Sequence, residues 1–218
     1  MYELIKGPCE PKTCTVHNYQ GKVLAHKDNF NQDCVGKYRA PLAGCHRADL
    51  QQALIQKAME LGVLIKLNAR VIALDLDPKA GDGNPRMKSV RVTMESRGYL
   101  DADLVVAADG LWSTCRSIFL GRWDAPLPTG DLTYRIVLPI EQIEDNVLRD
   151  MVVEPGVRLW SGSDAYVVAY SMRGGSMYNV ALLVSNELVD SVAKPGGNAA
   201  ELRALLDGWD PVYVFFLQ

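Results

Sequence analysis

The run Leu104-Val105-Val106-Ala107-Ala108-Asp109-Gly110-Leu111-Trp112-Ser113-Thr114-Cys115-Arg116 constrains this chain most. An apolar stretch of strand type ends abruptly in a carboxylate and a glycine. Small hydroxylated residues and an arginine follow. The pattern reads as a buried strand delivering its last side chain into a cleft. In open α/β sheets, that carboxyl end is where ligands bind. Asp109 there can hold a ribose hydroxyl, and Gly110 lets backbone come close to a ligand. Ser113 and Thr114 can cap a following helix or donate to phosphate, and Arg116 supplies a cation. The same residues also describe a plain strand-to-helix turn in which Asp-Gly serves backbone geometry.

Upstream, His46 to Leu61 reads as a helix. Leu50, Leu54, Ala58 and Leu61 form one apolar stripe, and Gly62 stops it. Arg47 stands in the first turn, where the helix dipole disfavours a cation. A bound anion would remove that conflict, as would solvation with pairing to Asp49 or Glu60. Val63–Leu67, Val71–Leu76, Ser89–Glu95 and residues 99–108 read as strands, with a loop at Pro78–Pro85 and a turn at Arg97-Gly98. Residues 1–45 are irregular, with weak strands at Thr13–Asn18 and Lys22–Ala25 around a turn at Gly21.

After Arg116 the texture changes. Pro126, Pro128 and Gly130 mark a crossing between two regions, 1–125 and 126–218. Strands are expected at Leu132–Ile140, Val157–Trp160, Ala165–Met172 and Tyr178–Val184. Helices are expected at Ile143–Met151 and Ala199–Leu206. Short spacing with glycine turns means an antiparallel sheet. The fold class is therefore mixed α/β (α+β). Arg135 lies inside an otherwise apolar strand. Facing a cavity, it can bind a carboxylate or phenolate or steer a peroxide; facing solvent, it decorates an edge. Tyr166 and Tyr170, four apart, share one strand face. They can line a flat aromatic ligand or simply pack the sheet.

The formal net charge of -3 argues against nucleic acid or an anionic membrane as main partner. No apolar run reaches the roughly 18 residues of a membrane span, and no export signal opens the sequence. The five cysteines lack Cys-x-x-Cys spacing and the three histidines lack ligand spacing, so no metal site is expected. Reduced thiols point to the cytoplasm.

Together the segments His46–Leu54, Leu61-Gly62-Val63 and Asp103–Arg116 resemble the FAD-dependent aromatic-ring hydroxylases, most of all the salicylate-hydroxylase-like flavoprotein monooxygenases. Thr129-Gly130 with Tyr134-Arg135, Ala165–Tyr170, Arg173-Gly174-Gly175, Tyr178-Asn179-Val180 and Gly208-Trp209-Asp210-Pro211 extend the match. The resemblance implies a partial Rossmann-like FAD-binding region (1–125) and a substrate domain built on an antiparallel sheet (126–218). It implies FAD as cofactor, NAD(P)H as reductant, O2 as oxidant, a C4a-hydroperoxyflavin as hydroxylating species and a small aromatic substrate. Arg47, Asp109 and Gly110 match cofactor-binding positions. Arg135 matches an arginine beside flavin and substrate, and Tyr166 is a weaker match to a catalytic position.

The chain departs from that family in two places. It has no Gly-x-Gly-x-x-Gly segment after a first strand, since Gly81–Arg86 places Arg86 where the third glycine belongs. It also lacks the later Gly-Asp motif. The expectation is a fragment of such an enzyme, with apolar strand faces exposed at 63–76 and 101–108. Three readings follow: a flavin monooxygenase, an inactive truncated form of one, or a module that binds a small aromatic without redox chemistry.

Overall fold

The computed structural model describes residues 2–76, 89–96, 98–185 and 199–212. The loop expected at Pro78–Pro85 and the Arg97 half of the turn at Arg97-Gly98 lie outside them. In chain order the elements are β1 (Thr13–Asn18), β2 (Val23–Lys27), α1 (Phe30–Tyr38), α2 (Arg47–Glu60), β3 (Val71–Asp75), β4 (Val90–Met94) and β5 (Gly98–Ala102). Then come α3 (Thr114–Leu120), β6 (Asp131–Pro139), α4 (Asn146–Val153), β7 (Gly156–Ser161), β8 (Ala165–Met172), β9 (Met177–Ser185) and α5 (Ala199–Leu205).

The chain divides into two compact units. One is Met1–Gly62 with Gly130–Gln218; the other is Val63–Thr129. In this division residues 1–62 fold with the later sheet. That sheet has six strands in the order β2-β1-β7-β8-β9-β6. Every neighbouring pair is antiparallel except β1 with β7, which run parallel.

One face of this sheet carries the core. Trp160, Val167, Ala169, Tyr178, Val180, Leu182 and Val184 pack there with Leu148 and Val152 of α4 and Leu202 of α5. Strand β6 shows why the face is chosen: Leu132, Tyr134, Ile136 and Leu138 pack on the core, while Thr133, Arg135 and Val137 are exposed. The helix expected at Ile143–Met151 begins three residues later. Asp145 caps it, accepting the Leu148 N–H at 2.8 Å, and Leu148 and Val152 fall one turn apart on its buried side. Asp210, near the end of the sequence match, is also placed: its Oδ2 accepts the buried Trp160 indole N–H at 2.9 Å, and Trp160 stacks on His17.

The second unit is an antiparallel sheet in the order β3-β4-β5, followed by α3. Two expectations fail here. Val63–Leu67 and Asp103–Ala108 form no strand. A strand exists only where its N–H and C=O groups meet a partner ladder, and no described segment offers one to either run. Their side chains are not buried: Leu64 is 88% exposed, Leu104 78% and Val106 79%. Apolar side chains are exposed along both stretches, Ile72 and Leu76 as well as Leu64 in 63–76 and Leu104 and Val106 in 101–108, but 63–67 and 103–108 expose them from non-strand backbone.

Candidate functional site

The face of the six-stranded sheet opposite the core is the open one. Arg135 on β6 registers with Ala181 on β9, Ala181 with Val168 on β8, and Val168 with Leu159 on β7. Tyr166 and Tyr170 flank Val168 two residues to either side. The pleat therefore sets Arg135, Tyr166 and Tyr170 on one face. Arg135 stands two strands, about 10 Å, from the tyrosine strand. It is exposed and makes no hydrogen bond or ion pair with a described residue. Tyr166 is 47% exposed, and Tyr170 is half-buried.

Residues 42–45 lie across part of this face. Gly44 exchanges two backbone hydrogen bonds with Cys9, at 2.8 and 2.9 Å. A Cβ on Gly44 would sit 2.8 Å from the Ser171 carbonyl and 3.1 Å from Cδ2 of Tyr170, so only glycine allows this approach. The segment roofs a cavity of about 360 Å³ between Leu42, Cys45, Val157, Val168 and Tyr170. That is at the small end of small-molecule pockets.

The roof leads directly into α2. His46 caps the helix, its Nδ1 accepting the Ala48 N–H at 3.3 Å. Arg47 follows, exposed and without a described partner. Neither pairing considered from sequence occurs. Asp49 is held by Arg173 through two bonds of 2.6 and 2.9 Å, and Glu60 by Lys57 at 3.2 Å. The Arg173 guanidinium keeps the Asp49 carboxyl below the usual carboxylate range. The unfavourable cation at this helix start thus keeps an unbalanced charge, which an anion would satisfy.

In the second unit, Asp109 organises the start of α3. Its Oδ2 accepts the Cys115 N–H at 3.0 Å, and its Oδ1 accepts the Ser113 hydroxyl at 2.6 Å. Ser113 Oγ in turn accepts the Arg116 N–H at 2.9 Å as the helix cap. These donors, the Cys115 N–H first, depress the Asp109 carboxyl to about 2. Burial raises the neighbouring Cys115 thiol. Gly110 takes the left-handed conformation, φ +77°, with open space where a Cβ would be. Arg116 is not a free cation. It donates to the carbonyls of Leu111 and Asp124, both at 2.9 Å, and lies 3.1 Å from the Asp124 carboxylate. Of the readings left open for Ser113, helix capping is the one observed.

The sequence reading missed Gly44, Cys9 and Cys45 as cavity residues and Arg173 as the anchor of α2. Arg173 and Asp49 are 124 residues apart, and no local pattern joins them. A glycine before a helix start was the one available signal for Gly44. Taken unit by unit, the residues suit parts of an anionic dinucleotide such as FAD in kind: in the first unit Arg47 offers a guanidinium without a partner among the described residues, and in the second Gly110 offers backbone with open space where a Cβ would be.

No family model matches the chain. Over 210 residues it is 40% identical to the FAD-dependent monooxygenase OpS4 of Beauveria bassiana, covering 95% of this chain and 47% of that protein. It is 28% identical to 3-hydroxybenzoate 6-hydroxylase 1 of Aquipseudomonas alcaligenes, over 65% of this chain and 32% of that one. A salicylate hydroxylase in complex with substrate superimposes with a TM-score of 0.68 at 15% identity, covering the whole of this chain and 53% of that one. The last likeness shows the fold. The chain spans about half or less of the length of these relatives, and it belongs to the FAD-dependent monooxygenases of the aromatic-hydroxylase type.

Proposed function

We propose that this chain carries the substrate side, and part of the flavin side, of a monooxygenase that hydroxylates a small aromatic ring with NAD(P)H as reductant and O2 as oxidant. The observation that carries the reading is the roofed apolar cavity on the open sheet face, continuous through residues 42–46 with the helix that starts at the unpaired Arg47. The names of the relatives support the aromatic class.

Hydride uptake from NAD(P)H and activation of O2 are chemistry that bound FAD supplies. The chain's own residues bind and orient. Arg47 donates to a phosphate or ribose oxygen of the cofactor. Asp109, already ionised and rigid on the α3 cap, accepts a ribose hydroxyl with its remaining lone pairs, and Gly110 admits the cofactor to van der Waals distance. Arg135 sets a positive field on the open face, two strands from the lining residue Val168. Tyr166 is outside the cavity lining and shares the strand face of the lining residues Val168 and Tyr170, and the apolar cavity excludes water from the ring. We place the chain in the cytoplasm on its five free cysteines; among the described residues no helix is long and apolar enough to cross a membrane.

The test is to purify the 218-residue chain, add FAD, and follow NAD(P)H oxidation and phenol hydroxylation. Coupled consumption of NAD(P)H with appearance of a hydroxylated product is the expected result. A chain that binds a phenol yet gives no product with FAD present would favour the module that binds without redox chemistry.

A further inference from the structure

The cavity under residues 42–45 contains no Asp, Glu, Lys, Arg or His in its lining. Most of its wall is aliphatic or sulfur-bearing: Pro11, Leu42, Cys45, Val157 and Val168. The sulfur of Cys9 is already engaged, accepting the Gly175 N–H at 3.1 Å. Ser171 contributes backbone, because its hydroxyl donates to the Val152 carbonyl at 2.6 Å. That leaves the Tyr170 phenol as the one lining hydroxyl without a described partner. None of the cations on or beside this face serves the cavity: Lys27, on the same face through Cys14 and Val157, is paired with Asp33. Arg173 is committed to Asp49, and Arg135 stands two strands away from Val168.

A carboxylate taken into such a space loses water and gains no counter-charge. An uncharged group of the same shape pays much less. A ring hydroxyl, in contrast, finds a partner of matching strength in Tyr170. We propose that this cavity selects an uncharged phenolic ring, hydrogen-bonded through its hydroxyl to Tyr170, and discriminates against carboxylate-bearing rings of the kind named for the 3-hydroxybenzoate hydroxylases. The selection deepens the reading of the cavity as the ring site of a monooxygenase. Gly44 sets the roof height: any side chain there drives residues 42–45 off the Ser171 carbonyl and Tyr170 ring.

The test titrates the 218-residue chain at pH 7 with 3-hydroxybenzamide and 3-hydroxybenzoate, which differ chiefly in charge, using calorimetry or ligand-observed NMR. The expected result is binding of the amide at least about tenfold tighter than the carboxylate. Tyr170→Phe weakens the amide about three- to tenfold and leaves benzamide, which lacks the hydroxyl, unchanged. Gly44→Val weakens both amides. Equal or tighter binding of the carboxylate, absence of amide binding, or an unchanged amide affinity in Tyr170→Phe would overturn the proposal. These titrations contain no flavin, so amide binding in a chain that gives no turnover with FAD would retain the ring selectivity and discard the monooxygenase reading. Turnover of a carboxylate substrate without amide binding would do the reverse.

Discussion

Arg173, in the turn after β8, grips Asp49 of α2 with Nε to Oδ2 at 2.6 Å and Nη2 to Oδ1 at 2.9 Å. This two-point pair ties the helix that begins at Arg47 to the sheet that carries Tyr166 and Tyr170. Bidentate arginine–carboxylate geometry fixes orientation as well as distance.

Breaking that pair should loosen the cavity roof as well as the helix. Asp49→Asn is expected to lower the melting temperature by a few degrees, and Arg173→Gln by a similar amount. The double variant should cost less than the sum of the two singles, since the residues touch. Thermal melts of the four proteins measure this coupling, and strict additivity would show that the pair carries no stability.

Asp109 gives the protein an acid-sensitive joint. Its carboxyl is depressed in the folded chain to about 2, against about 3.9 for a free aspartate. Its contribution is fully present above about pH 4 and is lost as pH falls through 2. Asp109→Ala should therefore be less stable than the parent at pH 7, with the gap narrowing as pH drops from 4 toward 2. Urea midpoints across that range check it. A gap independent of pH would show that the charge plays no part.

The helix cap itself is testable apart from the charge. Ser113 is 8% exposed, and its hydroxyl serves both Asp109 and the Arg116 N–H. Ser113→Ala should cost about 1 kcal/mol, and Ser113→Thr, which keeps the hydroxyl, much less. Urea unfolding of the two variants separates loss of the cap from loss of side-chain volume.

Most of the six-stranded sheet was legible in the sequence, because alternation on β6 and glycine turns around β8 are local signals. The β8 limits and the β1 limits agree with the sequence reading to the residue. The joining of β1 to β7 was not legible, since a parallel pairing between strands more than 130 residues apart leaves no local mark. The reading of 103–108 as a buried strand failed for a related reason. Its composition is that of a strand, yet strand formation is decided by a neighbour and not by the run itself. Of the site, Tyr166 and Tyr170 were correctly read as sharing one strand face, whereas the placing of Arg135 on that face follows only from the strand register. Asp109 was read either as a ligand contact or as part of a strand-to-helix turn, and its carboxylate is found holding the start of its own helix.

The contrast between core and exposed apolar positions leads to a paired experiment. Leu182 is 3% exposed within the sheet core, whereas Leu104 is 78% exposed. Leu182→Ala should cost roughly 2–5 kcal/mol. Leu104→Ser should change stability by less than about 0.5 kcal/mol and reduce self-association, because it breaks an apolar surface run. Urea melts and light scattering on both variants decide whether residues 103–108 pack as the structure has them.

The most direct measurement for the account as a whole is a flavin titration of the 218-residue chain with and without Arg47. Arg47 is exposed and unpaired at the start of α2, and a charge-assisted contact of this kind is worth about 1.5–3 kcal/mol. Saturable quenching of FAD fluorescence by the parent chain, weakened about tenfold or more in Arg47→Ala while the melting temperature holds, is the predicted result. No saturable binding by the parent, or equal binding by the variant, would contradict it.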